Sequence, residues 1–292
     1  MKHQPQQLHS DYRAKKGLGQ NFLVDPMAVD ELIKSLDLEP SDTVIEIGPG
    51  KGALTAQIAS VAKKVIAVEV DTQIIPLLVK SLKTAGITAS QDPDSDATVI
   101  ILNEDVLRVD LQQLAIRYGG GRLCKLIGNL PYYITTPIVE KLLESTRGFA
   151  TMTVMMQKEA ADRMTALPGD PEYGVMAALL RYHTEPVRVL NVGRESFDPA
   201  PNVDSTVLQL TVRSKKPVQP VNEKDFAAVI KGGFAQRRKT LGNSLMTLGV
   251  SKQQAEELLR RADLDPSRRG ETLDLEEFCR LSDVYTEFKQ QK

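Results

Sequence analysis

Thr43-Val-Ile-Glu-Ile-Gly-Pro-Gly-Lys-Gly52 runs from a β-branched segment straight into a glycine-rich turn. Val and Ile favour extended backbone, so Thr43–Ile47 reads as a strand. Glycines at 48, 50 and 52 let the chain turn tightly and approach a ligand without a Cβ in the way. The spacing is GxGxG. The dinucleotide fingerprint GxGxxG fails at Ala53, and no GxxxxGK[ST] is present. Pro49 further removes an amide that a phosphate cradle would use.

Working outward, Lys64–Val68, Thr98–Leu102, Lys125–Gly128, Thr151–Met156 and Val187–Val192 read as further strands, and Thr206–Val212 as a late one with period-two alternation. Helical patterns lie between them. This alternation predicts an α/β, Rossmann-like fold with a mostly parallel sheet and helices on both faces. Asp25-Pro26 opens a helix carrying Val29, Leu32, Ile33 and Leu36 at helical spacing. Pro76 should kink or delay the helix after Asp71, and Gly86–Ala97 reads as a polar surface loop. Past the proline-containing linker Arg213–Asn222 the strand signals stop. Phe226–Phe234, Arg237–Leu248, Lys252–Ala262 and Leu275–Phe288 all look helical. The expected division is therefore 1–213, an α/β domain, and 214–292, a small all-α domain.

Composition excludes several function classes. The chain has 292 residues, 41% hydrophobic and 26% charged, ordinary for a globular protein. Its longest apolar run, Val175–Leu180, is too short for a membrane span or a signal-peptide core. Cys124 and Cys279 form no disulfide or metal pattern, which fits a reducing cytoplasm. Only three histidines occur, His3, His9 and His183, so neither a His-based metal site nor a Ser-His-Asp triad is expected. The net charge of −1 argues against a nucleic-acid partner until it is divided along the chain. Arg213–Thr240 holds eight Lys/Arg against two acids, and a second basic stretch carries Arg13, Lys15 and Lys16. Both are candidate phosphate-backbone footprints.

Glu69 ends the second predicted strand, where a carboxylate can accept hydrogen bonds from both hydroxyls of a ribose. A nucleoside bound without phosphates on an acidic-rimmed glycine loop points to S-adenosyl-L-methionine, with NAD as the alternative. Asp105, after the third strand, suits an adenine amine, since Asp110 is the better cap for the helix that follows.

Asn129-Leu-Pro-Tyr132 follows the fourth strand. The lone pair of an adenine N6 is delocalised into its ring, making it a poor nucleophile. An amide oxygen on Asn129 and the backbone carbonyl of Leu130 can each accept one N6 hydrogen and favour a pyramidal nitrogen. Pro131 stiffens the turn, and Tyr132 offers a face on which the base stacks.

Gly19-Gln-Asn-Phe-Leu23, Glu46–Gly52, Glu69, Asp105, Asn129–Tyr132, Phe197–Ser205 and Phe234-Ala-Gln-Arg-Arg-Lys-Thr-Leu241 occur in the order found in the KsgA (RsmA) family, which the chain resembles over about residues 15–280. The resemblance implies a class I methyltransferase that dimethylates N6 of two adjacent adenosines near the 3′ end of small-subunit (16S) rRNA, leaving S-adenosyl-L-homocysteine and needing no metal. It implies cofactor contacts from Asn21, Leu23, Gly48, Gly50, Glu69, Asp105 and Asn129. Target-base contacts are implied from Asn129, Leu130 and Tyr132, with Phe197 as a second aromatic wall. Lys231, Arg237, Arg238 and Lys239 are expected to meet RNA. The family's third motif often reads Gly-Asp, whereas Glu104 precedes Asp105 here. The partner implied is an immature small ribosomal subunit, met by a cytoplasmic monomer with no membrane contact. The alternatives are a resistance-type methyltransferase of large-subunit rRNA and a ribosome-assembly factor without catalysis.

Overall fold

The structure, a computed structural model, describes residues 12–236 and 238–291, without the side chain of Lys16. His3, His9 and Arg237 lie outside the described residues. A short strand β1 (Phe22–Leu23) leads into α1 (Pro26–Ser35), capped by Asp25, whose carboxylate accepts the Met27 N–H. There follow β2 (Thr43–Ile47), α2 (Ala53–Ala59), β3 (Lys64–Val68) and α3 (Ile75–Thr84). Pro76 falls in the first turn of α3, where its missing N–H costs nothing. The proline thus sets where that helix begins. Next come β4 (Ala89–Ser90), β5 (Val99–Leu102), α4 (Leu111–Gly119), β6 (Cys124–Asn129), α5 (Thr135–Glu144) and β7 (Phe149–Gln157). Asp110 caps α4 through the Gln113 N–H, as its position predicts.

The remaining elements are α6 (Lys158–Thr165), α7 (Val175–His183), β8 (Thr184–Val192), β9 (Phe197–Asp198), β10 (Ser205–Val212), α8 (Glu223–Phe234), α9 (Leu241–Ser244), α10 (Lys252–Arg261) and α11 (Leu275–Gln290). Strands form one eight-stranded sheet in the order β4-β5-β3-β2-β6-β7-β10-β8, and a two-stranded sheet of β1 and β9. The β4–β5, β5–β3, β3–β2, β2–β6 and β6–β7 pairs are all parallel. Because β2 has β3 on one side and β6 on the other, the chain reverses its direction of travel across the sheet there. The carboxyl ends of these strands therefore open a crevice.

Two compact units result. Among the described residues, one runs to 158 and adds 188–209; the other is 159–187 with the residues from 210 onward, so the boundaries fall inside α6, β8 and β10. In the first unit Val44, Val65 and Val99 are fully buried in the core, together with Leu32, Leu78 and Ile58 from the helices. Each such side chain contributes about 1.5–3 kcal/mol on burial. In the second unit Ala177, Ala178 and Tyr182 of α7 pack with Phe226, Leu259, Phe278 and Leu281. The apolar run Val175–Leu180 is thus covered by the C-terminal helices and belongs with them. Among the described residues no helix is long and apolar enough to cross a membrane, and no group of three or more His, Cys, Asp or Glu side chains could hold a metal ion.

Candidate active site

The crevice holds a cavity of about 900 Å³, within the range of small-molecule sites. Its walls come from the strap 18–24, the glycine loop after β2, Glu69 after β3, Glu104–Leu107 after β5 and Asn129–Ile134 after β6. Asn21, Leu23, Gly48, Gly50, Glu69, Asp105, Asn129, Leu130 and Tyr132 all line it. Phe197 does not.

Glu69 is 5% exposed. Its Oε1 accepts the Asp71 N–H at 2.9 Å and its Oε2 the Gly50 N–H at 3.3 Å. Each oxygen keeps a lone pair for an incoming hydroxyl. Burial raises the pKa of this carboxyl, and the Asp71 and Gly50 N–H groups oppose that rise. Gly50 has φ +55°, and a Cβ there would lie 3.0 Å from the Phe22 ring. The loop and the strap meet at the one position where a side chain would part them.

Glu46, on β2, also faces the cavity and is 2% exposed. Burial pushes its pKa up to about 7, with Thr55 opposing and Glu69 adding to the rise. Among the described residues, neither Glu46 Oε2 nor Thr55 Oγ1 has a partner within hydrogen-bond distance. A buried acid beside an open cavity, with no ion pair among the described residues, suits a positively charged ligand.

The Asn129 side chain donates through Nδ2 to the Asn21 carbonyl at 3.0 Å, which turns its Oδ1 the other way as an acceptor. Leu130 donates its N–H to the Met155 carbonyl at 2.9 Å, fixing the turn to β7. The Tyr132 hydroxyl lies 2.9 Å from Ser205 Oγ, so the ring is tethered at its far end. Burial raises the pKa of this phenol, and Ser205 opposes the rise. Asp105 is less free than its sequence position implies, because its Oδ1 accepts the Leu107 N–H at 2.9 Å.

Sequence reasoning missed the residues that hold these groups. Asp71, two residues beyond Glu69, is a hub for the strap and for the segment that leads into it. It accepts from Tyr12 Oη at 2.5 Å, Lys15 Nζ at 2.8 Å, Gln20 Nε2 at 3.0 Å and the Gln73 N–H at 3.0 Å. Burial alone would raise its pKa, but Lys15 and these donors hold it down at about 2. Lys15 is therefore committed to Asp71, whose side chain is 1% exposed, and is not the free phosphate contact expected of it. Phe197 also departs from expectation. It pairs with Leu23 in the β1–β9 ladder and is 4% exposed in the core. It shares the core with Leu23 of the strap and is not among the residues that line the cavity. The signal that pointed to it, an aromatic in a proline-rich loop, is shared by both roles.

In the second unit, Lys231 lies on α8, and Arg238 and Lys239 follow it; all three are exposed. The helix expected over Arg237–Leu248 does not form as one piece. The chain turns after Phe234, with Lys239 N–H bonded to the Gln236 carbonyl at 2.8 Å, and α9 begins only at Leu241. Lys231 therefore shares no helix with Arg238 and Lys239. Gly270 sits against the backbone of Gly233, closer than any Cβ would permit. That contact brings exposed Arg269 to the end of α8, a cation that linear charge counting could not group with the others.

Residues 12–287 match the family model described as ribosomal RNA adenine dimethylase. The ribosomal RNA small subunit methyltransferase A of Clostridioides difficile is 42% identical over 275 residues, covering 94% of this chain and 91% of that protein. Its counterpart in Pelotomaculum thermopropionicum is 44% identical over 279 residues, with 93% and 91% covered. A dimethyladenosine transferase from Plasmodium falciparum superposes with a TM-score of 0.73 at 25% identity, covering 92% of this chain and 98% of that one. The 23S rRNA methyltransferase ErmE shares the fold, with a TM-score of 0.65 at 23% identity over 90% and 99% of the two chains.

Proposed function

The chain belongs to the ribosomal RNA adenine dimethylase family, and from that premise we propose that it dimethylates N6 of two adjacent adenosines near the 3′ end of small-subunit rRNA, using S-adenosyl-L-methionine. The relatives at 42% and 44% identity are named for the small subunit, and no observation favours the large subunit or a role without catalysis. An immature small ribosomal subunit in the cytoplasm is the partner this reading requires.

The residues present fit the cofactor. Glu69 suits the ribose hydroxyls, Gly48 and Gly50 a close approach of the ligand to backbone, Asp105 Oδ2 an adenine amine, and the acidic wall of Glu46 and Glu69 a cation. When bound, S-adenosyl-L-methionine supplies an electrophilic methyl group. The protein prepares the nucleophile. Asn129 Oδ1 and the Leu130 carbonyl accept the N6 hydrogens, drawing the nitrogen out of conjugation and holding its lone pair toward the cavity. Tyr132 stacks the base, and Ser205 keeps that ring from swinging away. Such aromatic stacking is worth about 1–3 kcal/mol per base.

The observation that carries the reading is the Asn129 amide. Its nitrogen is occupied by the Asn21 carbonyl, so its oxygen is presented as an acceptor beside a tethered aromatic ring. Asn129→Ala should lower single-turnover methylation by about 10²–10³-fold at saturating cofactor. Near-normal turnover in that variant would remove Asn129 from the chemistry.

A further inference from the structure

Tyr133 is the one aromatic among the large apolar side chains left exposed in the described residues, at 58%. It also lines the cavity. Its ring rests against the strap, where a Cβ on Gly19 would come 3.1 Å from Cδ1. An aromatic held in place yet left in water offers a free face.

Tyr132 and Tyr133 open a 3₁₀ turn, Tyr132–Ile134. At three residues per turn, successive side chains point about 120° apart. The two rings therefore face different directions from neighbouring Cα atoms. Tyr132 is tied back to Ser205, whereas Tyr133 stands at the mouth. Drawing a target base out of its stack leaves the next base with an exposed face, only one nucleotide away.

We propose that Tyr133 is a second base platform, which stacks the nucleobase adjoining the one held on Tyr132 and so favours a pair of adjacent unpaired purines. This rests on the RNA-methylating reading of the same cavity. Tyr133 then acts on specificity and binding, and Asn129 on the chemistry.

The test uses full-length wild type, Tyr133→Ala and Tyr133→Phe. Small ribosomal subunits carry either both adjacent adenosines or one adenosine with uridine beside it. On the first substrate Tyr133→Ala should raise KM about tenfold with kcat little changed. Tyr133→Phe should restore KM, since it keeps the ring. On the uridine substrate the wild type should lose most of its advantage over Tyr133→Ala, because a pyrimidine stacks less area. An RNA hairpin with 2-aminopurine at the neighbouring position supplies a direct readout. Wild type and Tyr133→Phe should quench its fluorescence on binding, and Tyr133→Ala should not. Equal KM and equal quenching for wild type and Tyr133→Ala overturn the platform and leave the proposed function standing. Wild type that transfers no methyl to either subunit overturns the function, and the platform with it.

Discussion

Glu46 carries a carboxyl group whose Oε2 is buried with no hydrogen-bond partner among the described residues, and its burial bears on stability. Its folded-state pKa, about 7, lies above the ordinary 4.5 of a glutamate side chain. The folded chain therefore holds a proton that the unfolded chain releases between pH 4.5 and 7. Stability from this group is present below pH 4.5 and lost as pH rises through 7, by about 3 kcal/mol. Glu46→Gln should flatten that slope in urea unfolding at pH 5 and pH 8. An unchanged slope would mean Glu46 is ionised in the cavity. Glu69 and Asn129 were legible in sequence, because a residue type at the end of a strand implies its position in a parallel sheet. Phe197 was not, since a ring under a loop and a ring over a cavity read alike. Asp71 was missed because its partners Tyr12, Lys15 and Gln20 lie more than fifty positions away.

At the scale of elements, β2, β3, β5, β6 and β7 follow from runs of Val, Ile and Met that only a sheet covered on both faces would bury. The β1–β9 pair escaped sequence reading. Two residues give no periodicity, and the ladder joins positions 22–23 to 197–198. α9 shows the opposite failure. Apolar spacing from Leu241 to Leu248 mimics the end of a long helix, but Arg238 and Lys239 before it turn to solvent, and only four residues close as α-helix. The strap and the glycine loop meet at Gly50, so Gly50→Ala should force the Phe22 ring aside and strain a positive φ. Strain of that kind costs about 1–3 kcal/mol. Cofactor affinity should fall at least tenfold by calorimetry, with a lower Tm. Unchanged affinity would separate the strap from the binding site.

Over the whole molecule, a net charge of −1 is the sum of two local charge excesses of opposite sign. Buried acids face the cavity, and exposed cations gather at the end of α8. Sequence showed the linear run of those cations but not Arg269, which the Gly233–Gly270 contact brings beside them. It also showed the linker at 213–222, but not that 159–187 pack with the helices beyond it. Replacing Arg237, Arg238 and Lys239 together by Ala should weaken RNA binding. The slope of log K against log salt should fall by about 2 to 3, one phosphate contact per residue. An unchanged slope would make that segment an ordinary solvated surface. The central claim is tested most directly by incubating the protein with labelled S-adenosyl-L-methionine and under-methylated ribosomes, then mapping the label. The account predicts N6,N6-dimethyladenosine at two adjacent positions near the 3′ end of the small-subunit rRNA. Label in the large-subunit rRNA, or binding with no label transferred, would contradict it.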